Sequence, residues 1–254
     1  TERRTCWQEG DESVDVVIYT PPGSNRLRRC IIAIHAGGWD SGDPGEFPVA
    51  NREIAARNDV VICSIGYRLA PKHAWPAQAD DTRRGIAWVR AHAAELGIDP
   101  DHLILLGRSA GAQIATACAF GIPELSVRRC IAIYGPPDMV FARKWSYPDD
   151  ILKSLNLVRQ YMGGDPEDVP DAYRTASATE FITSQSPPTL LIHGTTDSLV
   201  WVEHSRRMHA KMQGVAHSDF LELPWGDHGC DYFPDSPGGQ LSLAAIEHFL
   251  RTET

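Results

Sequence analysis

The chain has 254 residues, 43% of them apolar and 22% charged, with a formal net charge of −9. This is an ordinary globular composition, long enough for one domain with a substantial core or a domain carrying a modest insertion. The negative balance argues against nucleic acid or an anionic membrane surface as the main partner and favours a neutral or weakly charged ligand.

Taken in chain order, short apolar runs predict strands at 14–19, 30–35, 60–65, 103–106, 130–134, 189–193 and 219–223. Apolar residues at helical spacing predict helices at 76–96, 110–120, 202–213 and 239–251. Such alternation implies a mostly parallel sheet covered by helices. From Cys30 onward the runs are nearly unbroken Val, Ile and Leu, as in strands buried on both faces, whereas 14–19 reads as a more exposed edge strand. One region breaks the alternation: 136–188 has no clear strand and mixes Phe141, Trp145, Tyr147, Tyr161 and Tyr173 with Pro and Asp. It reads as an insertion lying over the site, within a single domain of residues 1–254.

Gly107-Arg108-Ser109-Ala110-Gly111 follows the run 103–106 and leads into the helix-like stretch 112–117. A strand, a tight turn and a helix in that order form a nucleophile elbow, in which a strained backbone holds the central hydroxyl out above the sheet. The pentapeptide alone is common, but its flanks make Ser109 the candidate nucleophile. The first amides of the following helix lie beneath the attacking oxygen, so Ala110 N–H is a candidate oxyanion donor.

A serine nucleophile needs a base and a group to orient that base, supplied by loops distant in sequence and in the order Ser, acid, His for this kind of sheet. After 189–193 comes Gly194-Thr195-Thr196-Asp197, and after 219–223 comes Pro224-Trp225-Gly226-Asp227-His228. Asp197 and His228 therefore fall on loops where open α/β sheets build their sites. Asp227 adjoins His228 and reads as a turn residue instead. After the strand at 30–35, the segment His35-Ala36-Gly37-Gly38-Trp39 supplies a glycine loop whose Gly37 and Gly38 N–H groups complete the oxyanion hole with Ala110. His35 reads as a partner that orders this loop.

With these pieces assembled, the chain resembles the α/β-hydrolase fold, and within it the hormone-sensitive-lipase-like carboxylesterases and related small bacterial esterases. Tyr67-Arg68-Leu69-Ala70-Pro71, Trp75-Pro76-Ala77 with Asp81, Gly42-Asp43 and Pro237-Gly238-Gly239 add to the likeness, which runs from about Val14 to Leu250. It implies a mostly parallel central sheet flanked by helices, with a small cap, 136–188, after the fold's sixth strand. It also implies an acyl-enzyme mechanism on esters, Ser109, Asp197 and His228 as triad, Gly37, Gly38 and Ala110 as oxyanion donors, and no metal or organic cofactor. Arg68 is expected to brace the oxyanion loop through an acid such as Asp43. Three departures stand out: Ala36 replaces the loop's first glycine, Arg108 precedes the nucleophile where small acids or histidine are usual, and N-terminal cap helices are not expected ahead of Val14.

The substrate expected is a small-molecule ester of short to medium chain, with Trp39, Trp145, Trp201 and Trp225 as candidate pocket residues. An amidase such as an arylformamidase uses the same triad, and a ligand-binding protein on this scaffold would ordinarily have lost a triad member. The six cysteines have no metal-ligand spacing and read mostly as buried hydrophobes, which favours a reducing, cytoplasmic setting; Cys230 lies two residues beyond His228. No stretch is apolar enough to span a bilayer. The chain opens on Thr1 rather than methionine, which leaves room for a leader or anchor ahead of it. Nothing in the sequence sets the oligomeric state.

Overall fold

A computed structural model describes residues 1–23, 26–146 and 150–252; Tyr147 lies outside them. Among the described residues eight strands, β1 (Glu2–Glu9), β2 (Glu12–Tyr19), β3 (Arg28–Ile34), β4 (Val61–Ile65), β5 (Ile98–Arg108), β6 (Arg129–Ile133), β7 (Thr189–Gly194) and β8 (Ser218–Leu223), form one sheet. Its order is β1-β2-β4-β3-β5-β6-β7-β8. β2 pairs antiparallel with β1 and β4, and every later neighbour is parallel. The helices are α1 (Pro48–Asn58), α2 (Ala77–Ala91), α3 (Ala93–Leu96), α4 (Ala110–Gly121), α5 (Met139–Trp145), α6 (Ser154–Met162), α7 (Pro170–Ala176), α8 (Glu203–Met212) and α9 (Pro237–Arg251).

The pleat divides the core in two, because successive side chains of a strand point to opposite faces. Cys30, Ile32 and Ile34 of β3 pack with Ile86 of α2, Ile114 of α4 and Met208 of α8, while Ile31 and Ala33 pack with Ile54 of α1 and Phe249 of α9. Every predicted strand and helix is present, with 76–96 broken at His92 into α2 and α3.

The edge of the sheet differs from expectation. β2 is not the edge strand: β1 pairs along its length, and Val14, Val16, Val17, Ile18 and Tyr19 are all buried. β1, Glu-Arg-Arg-Thr-Cys-Trp-Gln-Glu, lacks apolar alternation because it is a charged outer strand, a composition that discourages edge-to-edge pairing. It is held by the Gly10-Asp11 turn and by Trp7, whose ring carries the Arg84 guanidinium at 4.1 Å. Helix α1 is a second element absent from the expectations. Its buried residues include Asn51 beside Ala50, Ile54 and Ala55, so its inner face is only partly apolar.

Between β6 and β7 no strand occurs among the described residues; α5, α6 and α7 occupy that stretch. They are packed into the molecule through Met139, Val158, Tyr161, Met162 and Tyr173. No helix of the described residues is long and apolar enough to cross a membrane.

Candidate active site

Loops at the carboxyl ends of β3, β5, β7 and β8 converge on one cleft. β5 ends at Arg108 and α4 begins at Ala110, which leaves Ser109 between them at φ 52° and ψ −120°. A non-glycine residue in so sparsely populated a conformation costs about 1–3 kcal/mol. Its N–H is anchored by donating to Ile133 O at 2.9 Å. The chain can turn this tightly because a Cβ on Gly107 would stand 2.1 Å from Gly111 O, and one on Gly111 2.2 Å from Ile34 O.

His228 lies in the loop after β8, its Nε2 2.9 Å from Ser109 Oγ and its Nδ1 2.8 Å from Asp197 Oδ2. A carboxylate only accepts, so Nδ1 carries the proton and Nε2 presents a lone pair to the serine hydroxyl. Asp197 is itself fully engaged: Oδ1 accepts from Leu199 N–H at 2.9 Å and Val200 N–H at 2.8 Å, and His193 Nε2 lies 3.3 Å from Oδ2. Burial opposes its charge, yet the hydrogen bonds from His193 and His228 outweigh that and hold its carboxyl well below the usual range. His193 is held in turn, with Nε2 2.8 Å from Val200 O and Nδ1 2.7 Å from Ser205 Oγ. Asp227 ties the two loops together, its Oδ1 accepting from Ser198 N–H at 3.0 Å and His228 N–H at 2.7 Å.

The glycine loop after β3 places Gly37, Gly38 and Trp39 at consecutive positive φ of 110°, 57° and 67°. Gly38 and Ala110 line the cleft beside Ser109 and His228, and the neighbouring Gly37 fixes the loop, its carbonyl accepting from Asp40 and Ser41 N–H. Trp39 is pinned by Nε1 donating to Gln113 Oε1 at 3.0 Å and by stacking on Tyr161 at 4.6 Å. Tyr161 O–H donates to the same oxygen at 2.8 Å, so Gln113, one turn beyond Ser109, joins the elbow helix, the glycine loop and α6. His35 orders the loop as expected, its Nδ1 2.7 Å from Ala36 O and its ring stacked on Tyr67 at 4.1 Å.

The cleft encloses about 550 Å³ of empty space, open solvent at its mouth included, and α5, Ser146, Leu152 and α6 contribute to one wall. Trp39, Trp145 and Trp201 line it; Trp225 does not and is half exposed. Arg68 does not pair with Asp43. It donates to Asp81 at 2.9 Å on α2, while Asp43 is held by Arg3 of β1, a strand absent from the sequence reading. Cys230 is partly buried and outside the cleft lining, its thiol pushed up to about 12 by burial.

Two buried histidines should make the fold acid-labile. Burial pushes His35 down to about 4 and His204 down to about 3. Because their folded values lie below the unfolded value of about 6.5, the stability they contribute is present above pH 6.5 and is lost as pH falls below it. The urea unfolding midpoint should fall between pH 7 and pH 4.5, each histidine costing on the order of 2–3 kcal/mol by pH 4.5; a midpoint constant over that range would contradict the neutral, buried state of both.

Comparison with known proteins places this geometry in a family. The BD-FAE family model matches residues 16–212, more than half of the chain. The chain belongs to the BD-FAE family. As a BD-FAE member it is an α/β-hydrolase of the hormone-sensitive-lipase-like group, and the matched span takes in Ser109 and Asp197 but ends before β8 and His228. It is 30% identical to Esterase LipC of Mycobacterium tuberculosis over 84% of this chain and 56% of LipC. To the probable carboxylic ester hydrolase LipM of the same organism it is 26% identical, over 87% of this chain and 53% of that one. The BD-FAE chain thus spans about half the length of these relatives. Among solved structures, butyrate-bound Est2 of Thermogutta terrifontis superposes with a TM-score of 0.80 at 24% identity, covering 98% of this chain and 92% of that one. That likeness establishes the α/β-hydrolase fold.

Proposed function

We propose that this chain is a serine carboxylesterase that hydrolyses short- to medium-chain esters through an acyl-enzyme intermediate. The observation that carries the reading is the unbroken hydrogen-bonded chain from Ser109 Oγ through His228 to a buried, ionised Asp197, opening onto a cleft beside Gly38 and Ala110. In this reading Ser109 Oγ attacks the carbonyl carbon as His228 Nε2 takes its proton, and Asp197 stabilises the resulting imidazolium. The tetrahedral oxyanion is met by the N–H groups of Ala110, Gly38 and Gly37. It collapses as the alcohol leaves with the proton from His228, and water repeats the sequence to free the acid and restore the serine. Residues 136–188 act as the cap, narrowing the cleft with Trp145, Leu152 and Leu157.

The test is hydrolysis of p-nitrophenyl acetate through decanoate, with a matched p-nitroanilide and fluorophosphonate labelling read by mass spectrometry. Turnover of the shorter esters with the label on Ser109 is expected. A label elsewhere, or cleavage of the anilide alone, would replace this reading.

Gly37 gives a sharper check on the oxyanion loop. Its φ of 110° suits glycine alone, and a Cβ there would stand 2.2 Å from Ser41 O. Gly37→Ala should therefore displace the loop and lower kcat about 100-fold, the effect of losing one donor. Wild-type kcat in that variant would remove Gly37 from the hole.

A further inference from the structure

The cleft wall is mostly apolar, with Leu152, Leu157, Val200 and Trp145, yet it includes His204, the second residue of α8. His204 is only 4% exposed, its ring meets Phe141 edge-on at 4.8 Å, and its Nδ1 is sealed from solvent without a hydrogen-bond partner. Buried polar groups in a settled interior find partners. His193, buried close by in sequence, does so at both nitrogens, at 2.7 and 2.8 Å. His204 thus brings a buried, unpartnered ring nitrogen to the wall of the cleft that holds Ser109 and His228.

We propose that His204 is a specificity-determining residue that hydrogen-bonds a hydroxyl group carried by the ester, so that hydroxylated esters are the preferred substrate class. The inference rests on the esterase reading above. Burial keeps the imidazole neutral, with one N–H and one lone pair. An apolar wall with a neutral imidazole has nothing to balance a charged substituent. A hydroxyl, which both donates and accepts, can pair with whichever state, N–H or lone pair, the ring nitrogen it meets carries. A site built to bond a hydroxyl discriminates strongly against the analogue that lacks it, because the site's own polar group is then left unpaired.

Two matched pairs test this: p-nitrophenyl 3-hydroxybutyrate against p-nitrophenyl butyrate for the acyl side, and 4-hydroxyphenyl acetate against 4-methylphenyl acetate for the alcohol side. The ratio of kcat/KM within each pair is measured for the wild type, His204→Phe, His204→Leu and His204→Gln. Comparing ratios between variants cancels the intrinsic reactivity of each ester, and two apolar replacements guard against one failing to fold. In at least one pair the ratio should fall tenfold or more in the Phe and Leu variants, with Gln retaining part of it. Ratios within fivefold of wild type in both pairs overturn the proposal while leaving the esterase reading intact. Absence of wild-type turnover on all four esters instead overturns the esterase reading and the inference with it.

Discussion

Replacing Ser109 with alanine is expected to lower kcat/KM on p-nitrophenyl butyrate by about 10⁴–10⁶ while leaving the melting temperature within about 2 °C of wild type. The loss is large because in the proposed mechanism Oγ is the atom that becomes bonded to the acyl carbon, and among the described residues no other hydroxyl is hydrogen-bonded to His228. His228→Ala should cost nearly as much and the double variant no more than either, since base and nucleophile act in one step. Asp197→Asn tests the orienting group. An amide can donate to Nδ1, which favours the tautomer whose Nε2 carries a proton and cannot accept from the serine; about 10⁴ in kcat is the expected cost. Retention of more than a hundredth of wild-type activity by Ser109→Ala would locate the nucleophile elsewhere.

The second large effect concerns Arg108, the residue whose place before the nucleophile departs from the family's usual choice. Arg108 is 2% exposed and Asp231 4%, and Arg108 Nε donates to Asp231 Oδ2 at 2.6 Å. Nη1 reaches Asn51 Oδ1 at 3.2 Å, the guanidinium lies 4.5 Å over the Phe47 ring, and Asp231 Oδ1 accepts from Tyr134 O–H at 2.5 Å. Arg108→Met should destabilise the fold by about 3–5 kcal/mol, because it strands the Asp231 carboxylate in the interior. Asp231→Leu should cost a similar amount by stranding the guanidinium. Arg108→Met combined with Asp231→Leu should recover much of the loss, since a buried pair replaced as a whole by apolar groups is often near neutral. Activity should fall with the single variants, as the pair joins the residue before Ser109 to the loop carrying His228, and Tyr134 packs 4.7 Å from the His228 ring. Urea unfolding of the four proteins at constant m reads the energies. An Arg108→Met variant within 1 kcal/mol of wild type would show that the charge is relieved by other means.

How much of this was legible beforehand follows from where each signal resides. Ser109 was readable because the elbow is a local device: two glycines, a strand before and a helix after lie within one short segment. Asp197 and His228 were readable through chain order and strand ends, without any view of their distances. Trp225 was misplaced because tryptophan composition says nothing about direction, and the residue turns outward from the loop that carries His228. The sequence pairs Arg68 with the wrong acid because β1, charged and without apolar alternation, carries no strand signal; Arg3 on that strand takes Asp43, leaving Arg68 to Asp81.

The sequence by itself determined the sheet's buried strands, the flanking helices and the three residues that build the proposed triad. These rest on period, glycine placement and order along the chain, each a property of neighbours in sequence. Only the tertiary structure decided what surrounds them. Gln113 joining Trp39 to Tyr161 and Arg108 meeting Asp231 are partners brought together across 74, 48 and 123 positions of chain. A hydrogen bond or buried ion pair is chosen by proximity and by the cost of leaving a polar group unpaired, and that proximity exists only once the chain has folded.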